Sequence, residues 1–176
     1  MRTKNINLIY YGYFEQNFLN EIAKEVMFEY NLPVTVEENY VELAQYYDPS
    51  RKQYDGNKLL KTVCDQYTSE TCKNIGLFRV DLFIPILTYI YGQAHLGGSC
   101  GIASIFRLKN ELYGIKQNDT LLLERFKKVI IHELGHSFGL KHCHTPACVM
   151  LSSTYVEDID QKSAKLCSKC RLDLCL

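Results

Sequence analysis

The N-terminal part of the chain alternates between the hydrophobic spacing of strands and that of helices. Residues 6–11 are mostly apolar and predict a strand, and residues 34–37 predict a second one. Between them, residues 15–30 carry apolar side chains at helical spacing, which predicts an amphipathic helix. A polar stretch at 48–56 indicates a loop, and residues 57–67 predict a second helix.

Apolar, β-rich segments fill the middle of the chain. Residues 77–84 and 86–91 are split by Pro85 and predict either two strands or a strand and a loop. Residues 95–101 are glycine-rich, and residues 102–108 predict another strand. Such alternation of helices and strands predicts an α/β sheet flanked by helices.

The strongest helical pattern covers residues 120–138, with an apolar stripe along one side. After Gly139 the periodicity stops. The remaining segment is short and cysteine-rich, and it predicts one further helix over residues 156–172. Thr154 and Glu157 have the spacing of a capping box for that helix.

The end of the 120–138 helix carries a candidate metal site. His132 and His136 are four residues apart, so a helix places both imidazoles on one face. Gly139 can adopt a left-handed conformation, which lets the chain leave the helix and return His142 as a third ligand. Three protein ligands and an open position are typical of catalytic zinc. Glu133 lies beside the site and is the candidate general base.

Other interpretations of these histidines are weaker. A lone pair of histidines at this spacing occurs by chance, but the added Gly139 and His142 make the longer pattern specific. His144 competes with His142 as third ligand, although it requires a longer loop. His95 is distant in sequence, and we expect it on the surface or in the cleft lining rather than on the metal.

Charge and hydropathy exclude two classes of partner. The 20 Lys and Arg residues balance the 20 Asp and Glu residues, so the sequence has no basic footprint for nucleic acid. No apolar run approaches the ~18 residues that span a bilayer. We interpret the apolar stretch within residues 1–14 as a first strand rather than a signal peptide, and we expect a cytoplasmic monomer that binds neither nucleic acid nor membrane.

The chain has 8 cysteines, and four of them have the spacing of a metal site. Cys143, Cys148, Cys167 and Cys170 predict a closed structural zinc site that holds the loop after His142. The alternative is one or two disulfides, such as Cys167 with Cys170, but a reducing compartment disfavours them. The others show no such grouping and are expected to be free thiols: Cys64, Cys72, Cys100 and Cys175.

The histidine motif resembles that of the metzincins. Its continuation through Cys143, Cys148, Met150 and the last cysteine pair resembles the archaemetzincin branch. The resemblance implies a Met-turn at Met150, a hydrophobic floor beneath the metal. It also covers segments upstream, and implies that residues 102–106 are an edge strand to which an extended substrate adds.

The resemblance implies a metzincin-like fold: a twisted mixed sheet with a backing helix and an active-site helix. Residues 1–142 would form the N-terminal subdomain, and residues 143–176 a small cysteine-rich, zinc-bound one. The implied function is a peptidase with two zinc ions per chain and a peptide or protein substrate. One alternative is a non-catalytic zinc-binding module, although such a module needs no general base. The other is an aminopeptidase, with Glu111 or Asp119 as the acidic group that caps the cleft.

Overall fold

A computed structural model describes residues 3–174. The strands are β1 (Asn5–Tyr11), β2 (Val34–Asn39), β3 (Tyr47–Asp48), β4 (Gln53–Asp55), β5 (Cys72–Phe78), β6 (Leu82–Ile84), β7 (Leu87–Ile90), β8 (Gly92–Ala94) and β9 (Cys100–Ser104). The helices are α1 (Gln16–Tyr30), α2 (Gly56–Gln66), α3 (Asp119–Ser137), α4 (Val156–Gln161) and α5 (Ser168–Leu172). The main predicted helices are thus confirmed, whereas the predicted 48–56 loop contains β4.

A five-stranded sheet in the order β2-β1-β5-β9-β8 forms the centre of the fold. The first four strands pair in parallel, and β8 pairs with β9 in the antiparallel direction. β8 is therefore an edge strand, and β9 lies inside the sheet. A smaller sheet in the order β3-β4-β6-β7 lies beside it.

Strand β1 shows how the two faces of the main sheet are covered. Ile6 and Leu8 are fully buried in the core formed with α1 and α3, whereas Ile9 belongs to a second core formed with α2. Successive side chains of a strand point to opposite faces. Helices α1 and α3 therefore pack on one face and α2 on the other, which confirms the mixed α/β architecture.

Two of the predicted elements differ from the structure. The strand predicted at 102–108 begins earlier and ends at Ser104, and its place inside the sheet rules it out as the edge strand. The single helix predicted over 156–172 is two short helices, α4 and α5. The cap of α4 is also different: Asp158 Oδ2 accepts the backbone N–H groups of Thr154 and Tyr155 at 2.8 Å each, so Glu157 is not the capping residue.

The prediction of free thiols is wrong for Cys64 and Cys100, which form a disulfide that joins α2 to β9. Cys72 is free, as predicted. Cys175 lies outside the described residues. Within residues 3–174, no helix is both long and apolar enough to cross a bilayer. The cytoplasmic location and the division at residue 142 stay predictions.

Candidate active site

Helix α3 positions the first two histidines. It begins where the Asn118 side chain accepts the Leu121 N–H at 2.9 Å, and this satisfies a backbone donor that the first turn leaves free. Its apolar side is fully buried in the core through residues such as Phe126 and Ile130. This packing fixes the orientation of the helix, and its last two turns bring His132 Nε2 and His136 Nε2 to 3.0 Å from each other.

Gly139 allows the chain to return towards the metal site. Its φ is +94°, in the left-handed region that favours glycine. Beyond it, the Leu140 N–H donates to the Gly135 carbonyl at 2.9 Å, which closes the end of the helix. The chain then brings the ring centroid of His142 to 5.0 Å from that of His136. The predicted turn is therefore present.

The histidines are in the state that a metal requires. Nδ1 of His132 lies 2.8 Å from the Val149 carbonyl oxygen, and Nδ1 of His136 lies 2.7 Å from that of Leu140. A carbonyl can only accept, so each Nδ1 carries the proton and each Nε2 presents a lone pair. Burial also lowers the pKa of both rings, which keeps them neutral. In this tautomer the two Nε2 atoms, 3.0 Å apart, can both coordinate one cation.

Zinc fits this donor set, because neutral imidazoles are among its usual ligands. Ligand atoms of His132, His136 and His142 all lie within 4.8 Å of one another. Burial lowers the pKa of His142 as well, so all three rings favour the neutral form. Among the described residues, His144 is not part of this group.

Glu133 is buried beside the histidines, with 6% of its surface exposed. Burial raises its pKa to about 8, and the ammonium group of Lys162 acts in the opposite direction. A cation on the neighbouring histidines would favour the carboxylate further. Lys162 is itself buried in the cleft, and its Nζ donates to the Leu151 carbonyl at 2.8 Å. The sequence did not single out Lys162, because a lone lysine carries no motif.

Gly92 of the edge strand gives room to the Glu133 carboxylate. A Cβ atom added at Gly92 would lie 2.7 Å from Glu133 Cγ and 2.8 Å from Glu133 Oε1. It would also lie 2.7 Å from the Ile102 carbonyl oxygen of the neighbouring strand. The Glu133 side chain therefore packs directly against the backbone of β8, a contact that sequence spacing could not indicate.

An open cleft of about 560 Å³ leads to the histidines. β8 forms one wall, and residues 152–155 and Ile159 contribute to another. Neither Glu111 nor Asp119 lines the cleft, and both are exposed elsewhere. The acidic cap considered for an aminopeptidase is therefore not supplied by these two residues.

Met150 forms the floor beneath the active-site helix. Its side chain is fully buried, and its Sδ atom lies directly against the place where a side chain at Gly135 would begin. Gly135 is the residue before His136. A larger residue there would push the helix and the Met150 side chain apart.

The four C-terminal cysteines converge as predicted. Cys143 Sγ lies 3.8 Å from Cys167 Sγ, and Cys148 Sγ lies 3.8 Å from Cys170 Sγ. Four sulfur ligands at the usual Zn–S distance of ~2.3 Å are separated by ~3.8 Å in a tetrahedron. All four cysteines are free, so the alternative of a Cys167–Cys170 disulfide is absent.

Backbone donors point at these sulfur atoms. The N–H of Cys170 donates to Cys167 Sγ at 3.5 Å and lowers the pKa of that thiol to about 6. The Thr145 N–H donates to Cys143 Sγ at 3.3 Å, and Thr145 lowers the pKa of that thiol too. Hydrogen bonds to the charged form thus favour thiolate, the form that binds zinc, at Cys167 and Cys143. Burial raises the pKa of the Cys148 and Cys170 thiols, so these two depend on a bound cation to reach the thiolate form.

The cysteine cluster and the histidine site share one segment of backbone. Val149, whose carbonyl oxygen orients His132, lies between Cys148 and Met150. The N–H of Cys143, which follows His142, donates to the Met150 carbonyl at 2.9 Å. A metal held by the cysteines would therefore fix both the floor and the third histidine.

We predict that Gly139→Val lowers zinc affinity at the histidines. A Cβ atom at this position would meet nothing within 4 Å, so the expected effect comes from backbone strain alone. A β-branched residue strongly disfavours positive φ, at a cost on the order of 1–3 kcal/mol. Gly139→Asn is the matched control, because asparagine tolerates this region better. Equal zinc affinity of both variants and wild type, measured by competition with a chromogenic chelator, would refute the strain argument.

We predict that Gly92→Ala lowers kcat by about 10- to 100-fold with zinc content unchanged, because a displacement of ~1 Å near the reacting groups has effects of this size. The added methyl group must displace Glu133 or the edge strand. Unchanged kcat in Gly92→Ala would show that the contact with Glu133 has no effect on the reaction.

Comparisons with known proteins give consistent results. Residues 4–175 match peptidase family M54. An archaemetzincin of Haloquadratum walsbyi is 34% identical over 144 residues, which cover 80% of this chain and 82% of that protein. An archaemetzincin of Saccharolobus solfataricus is 30% identical over 173 residues, which cover 97% of this chain and 92% of that one.

Two solved structures have similar folds. A zinc-dependent peptidase from Methanocorpusculum labreanum superposes with a TM-score of 0.85 at 26% identity, over 96% of this chain and 98% of that one. An archaemetzincin from Methanopyrus kandleri superposes with a TM-score of 0.83 at 28% identity, over 97% of this chain and 93% of that one.

Proposed function

The chain belongs to peptidase family M54 and is a zinc metallopeptidase, and we propose that His132, His136 and His142 hold its catalytic zinc with Glu133 as general base. The observation that carries this assignment is the 3.0 Å separation of His132 Nε2 and His136 Nε2, next to a buried carboxylate. A binding module without catalysis needs no such carboxylate. Its presence favours an enzyme over a zinc-binding module.

In the proposed reaction, each residue of the site has a different role. His132, His136 and His142 would hold a zinc ion, which would supply Lewis acidity towards the scissile carbonyl and lower the pKa of a bound water to ~7. The Glu133 carboxylate takes a proton from the attacking water and passes it to the leaving amine nitrogen. Leu140 and Val149 hold the Nδ1 protons of two ligand histidines and so fix the orientation of their rings.

Strand β8 is the natural partner of an extended peptide. It is at the edge of the sheet, and its residues Gly92, Gln93 and Ala94 all line the cleft. A peptide that pairs with this edge as an added strand would place its backbone across the face of the zinc site. In this proposal β8 takes the role that the resemblance implied for residues 102–106.

A second zinc ion in the cysteine cluster completes the proposed metal content of two per chain. The 3.8 Å separation of Cys143 Sγ from Cys167 Sγ, the same separation of Cys148 Sγ from Cys170 Sγ, and the backbone N–H donors support a closed tetrahedral site. Such a site leaves no open position for water or substrate. Its proposed role is to hold Met150 and His142 in place.

Cleavage of a peptide library by the purified protein tests the proposal. We expect cleavage that stops when a chelator removes the metal and returns on addition of zinc. Mass spectrometry of the products identifies the bond that is cut. Cleavage that continues in metal-free protein would refute the zinc mechanism.

A further inference from the structure

A third group of metal-binding side chains lies outside both sites described above. Cys64 of α2 and Cys100 at the start of β9 have Cα atoms 5.6 Å apart. His95 Nδ1 lies 3.7 Å from Cys64 Sγ. The three candidate ligand atoms all lie within 4.8 Å of one another. None of these residues lines the catalytic cleft.

We propose that Cys64, Cys100 and His95 form a redox-controlled metal site, which binds a thiophilic ion such as zinc when the two cysteines are reduced and loses it when they form a disulfide. The proposed catalytic mechanism uses none of these three residues. The proposal is thus independent of how the catalytic histidines act.

The chemistry of the three side chains supports a metal site. Two thiolates and one imidazole are a usual zinc donor set, and a water molecule can complete four-coordination. Cys100 is buried, Cys64 is half-buried and His95 is exposed, so the group opens to solvent on the side of His95. A Cα separation of 5.6 Å suits a disulfide, and small side-chain rotations would open the sulfur atoms to the ~3.8 Å that zinc requires.

The two states exchange by a balanced reaction. A dithiol reductant gives two electrons and two protons to the Cys64–Cys100 disulfide and becomes a disulfide itself. The S–S bond breaks and two thiols form. A metal ion then displaces the two thiol protons, because only thiolate binds the metal.

The group is connected to the catalytic site through backbone hydrogen bonds. The His95 N–H donates to the Cys100 carbonyl at 3.2 Å, immediately beyond the edge strand β8. Two residues further, the Gly97 N–H donates to the His136 carbonyl at 2.9 Å. A metal on His95 would fix the loop between the substrate-binding edge and the active-site helix.

Zinc stoichiometry of the full chain tests the proposal. The protein is reduced with a phosphine, which becomes a phosphine oxide by taking oxygen from water. The reduced protein is then equilibrated with zinc and desalted, and its zinc content is measured by plasma mass spectrometry. We expect the reduced wild type to hold one more zinc per chain than oxidised wild type. Reduced His95→Ala and reduced Cys64→Ser should both lack this additional ion.

The two variants and one control separate a specific site from general thiol binding. His95 is exposed, so its replacement should not disturb folding. Cys72→Ser removes a free cysteine outside the group and should keep the additional zinc. Equal zinc content in reduced and oxidised wild type, or an additional ion that survives His95→Ala, would overturn the proposal.

Discussion

Glu133→Gln is expected to lower peptide turnover by about 10²–10⁴-fold, the usual contribution of general-base catalysis. Glutamine keeps the size of the side chain and fits against Gly92, but it cannot take a proton from water. The three histidines are unchanged, so zinc content should equal that of the wild type. The residual Lewis acidity of zinc leaves some activity.

The matched control is Glu111→Gln, the same change at an exposed position outside the cleft. It should leave kcat and KM unchanged. Equal kcat in Glu133→Gln and wild type, measured with one peptide under saturating conditions, would show that Glu133 is not the base. A loss of zinc in Glu133→Gln would instead show that the carboxylate stabilises the metal.

Cys167→Ser is expected to remove the structural zinc and to lower the free energy of unfolding by several kcal/mol. Structural zinc contributes on the order of 10–16 kcal/mol of apparent free energy in zinc-finger peptides, so the loss of one ligand has a large effect. The cluster holds the backbone that orients His132 and His142. Any folded fraction should keep its histidine site chemically intact.

Cys72→Ser is the control for this change, because Cys72 is a free cysteine outside the cluster. Zinc content and urea denaturation of both variants provide the measurement. We expect Cys167→Ser to lose one zinc per chain and to unfold at lower urea, and Cys72→Ser to keep its zinc. A fully stable Cys167→Ser variant with unchanged zinc content would refute the structural site.

The parts of the site that follow local rules could be predicted from sequence. His132 and His136 meet because residues four apart share a helix face, and Gly139 turns the chain because only glycine enters that region easily. The four cysteines have distinctive spacing. In each case the relevant information lies within one short segment, or in a residue type whose chemistry has few alternatives.

Features that depend on strand order could not be predicted in this way. β8 has three residues, Gly92, Gln93 and Ala94, and two of them have low strand propensity. Its position at the sheet edge follows from pairing with β9. The contact of Gly92 with Glu133 and the Cys64–Cys100 disulfide likewise join segments distant in sequence, and cysteine connectivity cannot be read from spacing alone.

The break in the predicted C-terminal helix also has a tertiary cause. Between α4 and α5, the Leu166 N–H donates to the buried Glu29 side chain at 2.7 Å, and Lys162 extends to the Leu151 carbonyl. Both contacts come from the segment 162–167, where the backbone bends and is not helical. Helical periodicity in the sequence reflects burial of one side of a segment, but it gives no information about these tertiary contacts.

Anomalous diffraction at the zinc absorption edge, from crystals of the wild-type protein, would locate each bound zinc ion. We expect one strong peak bounded by ligand nitrogens of His132, His136 and His142, beside the Glu133 carboxylate, and a second among the four C-terminal cysteines. A peak in the cysteine cluster alone, in crystals of protein that cleaves peptides, would contradict the assignment of the histidines as the catalytic metal site.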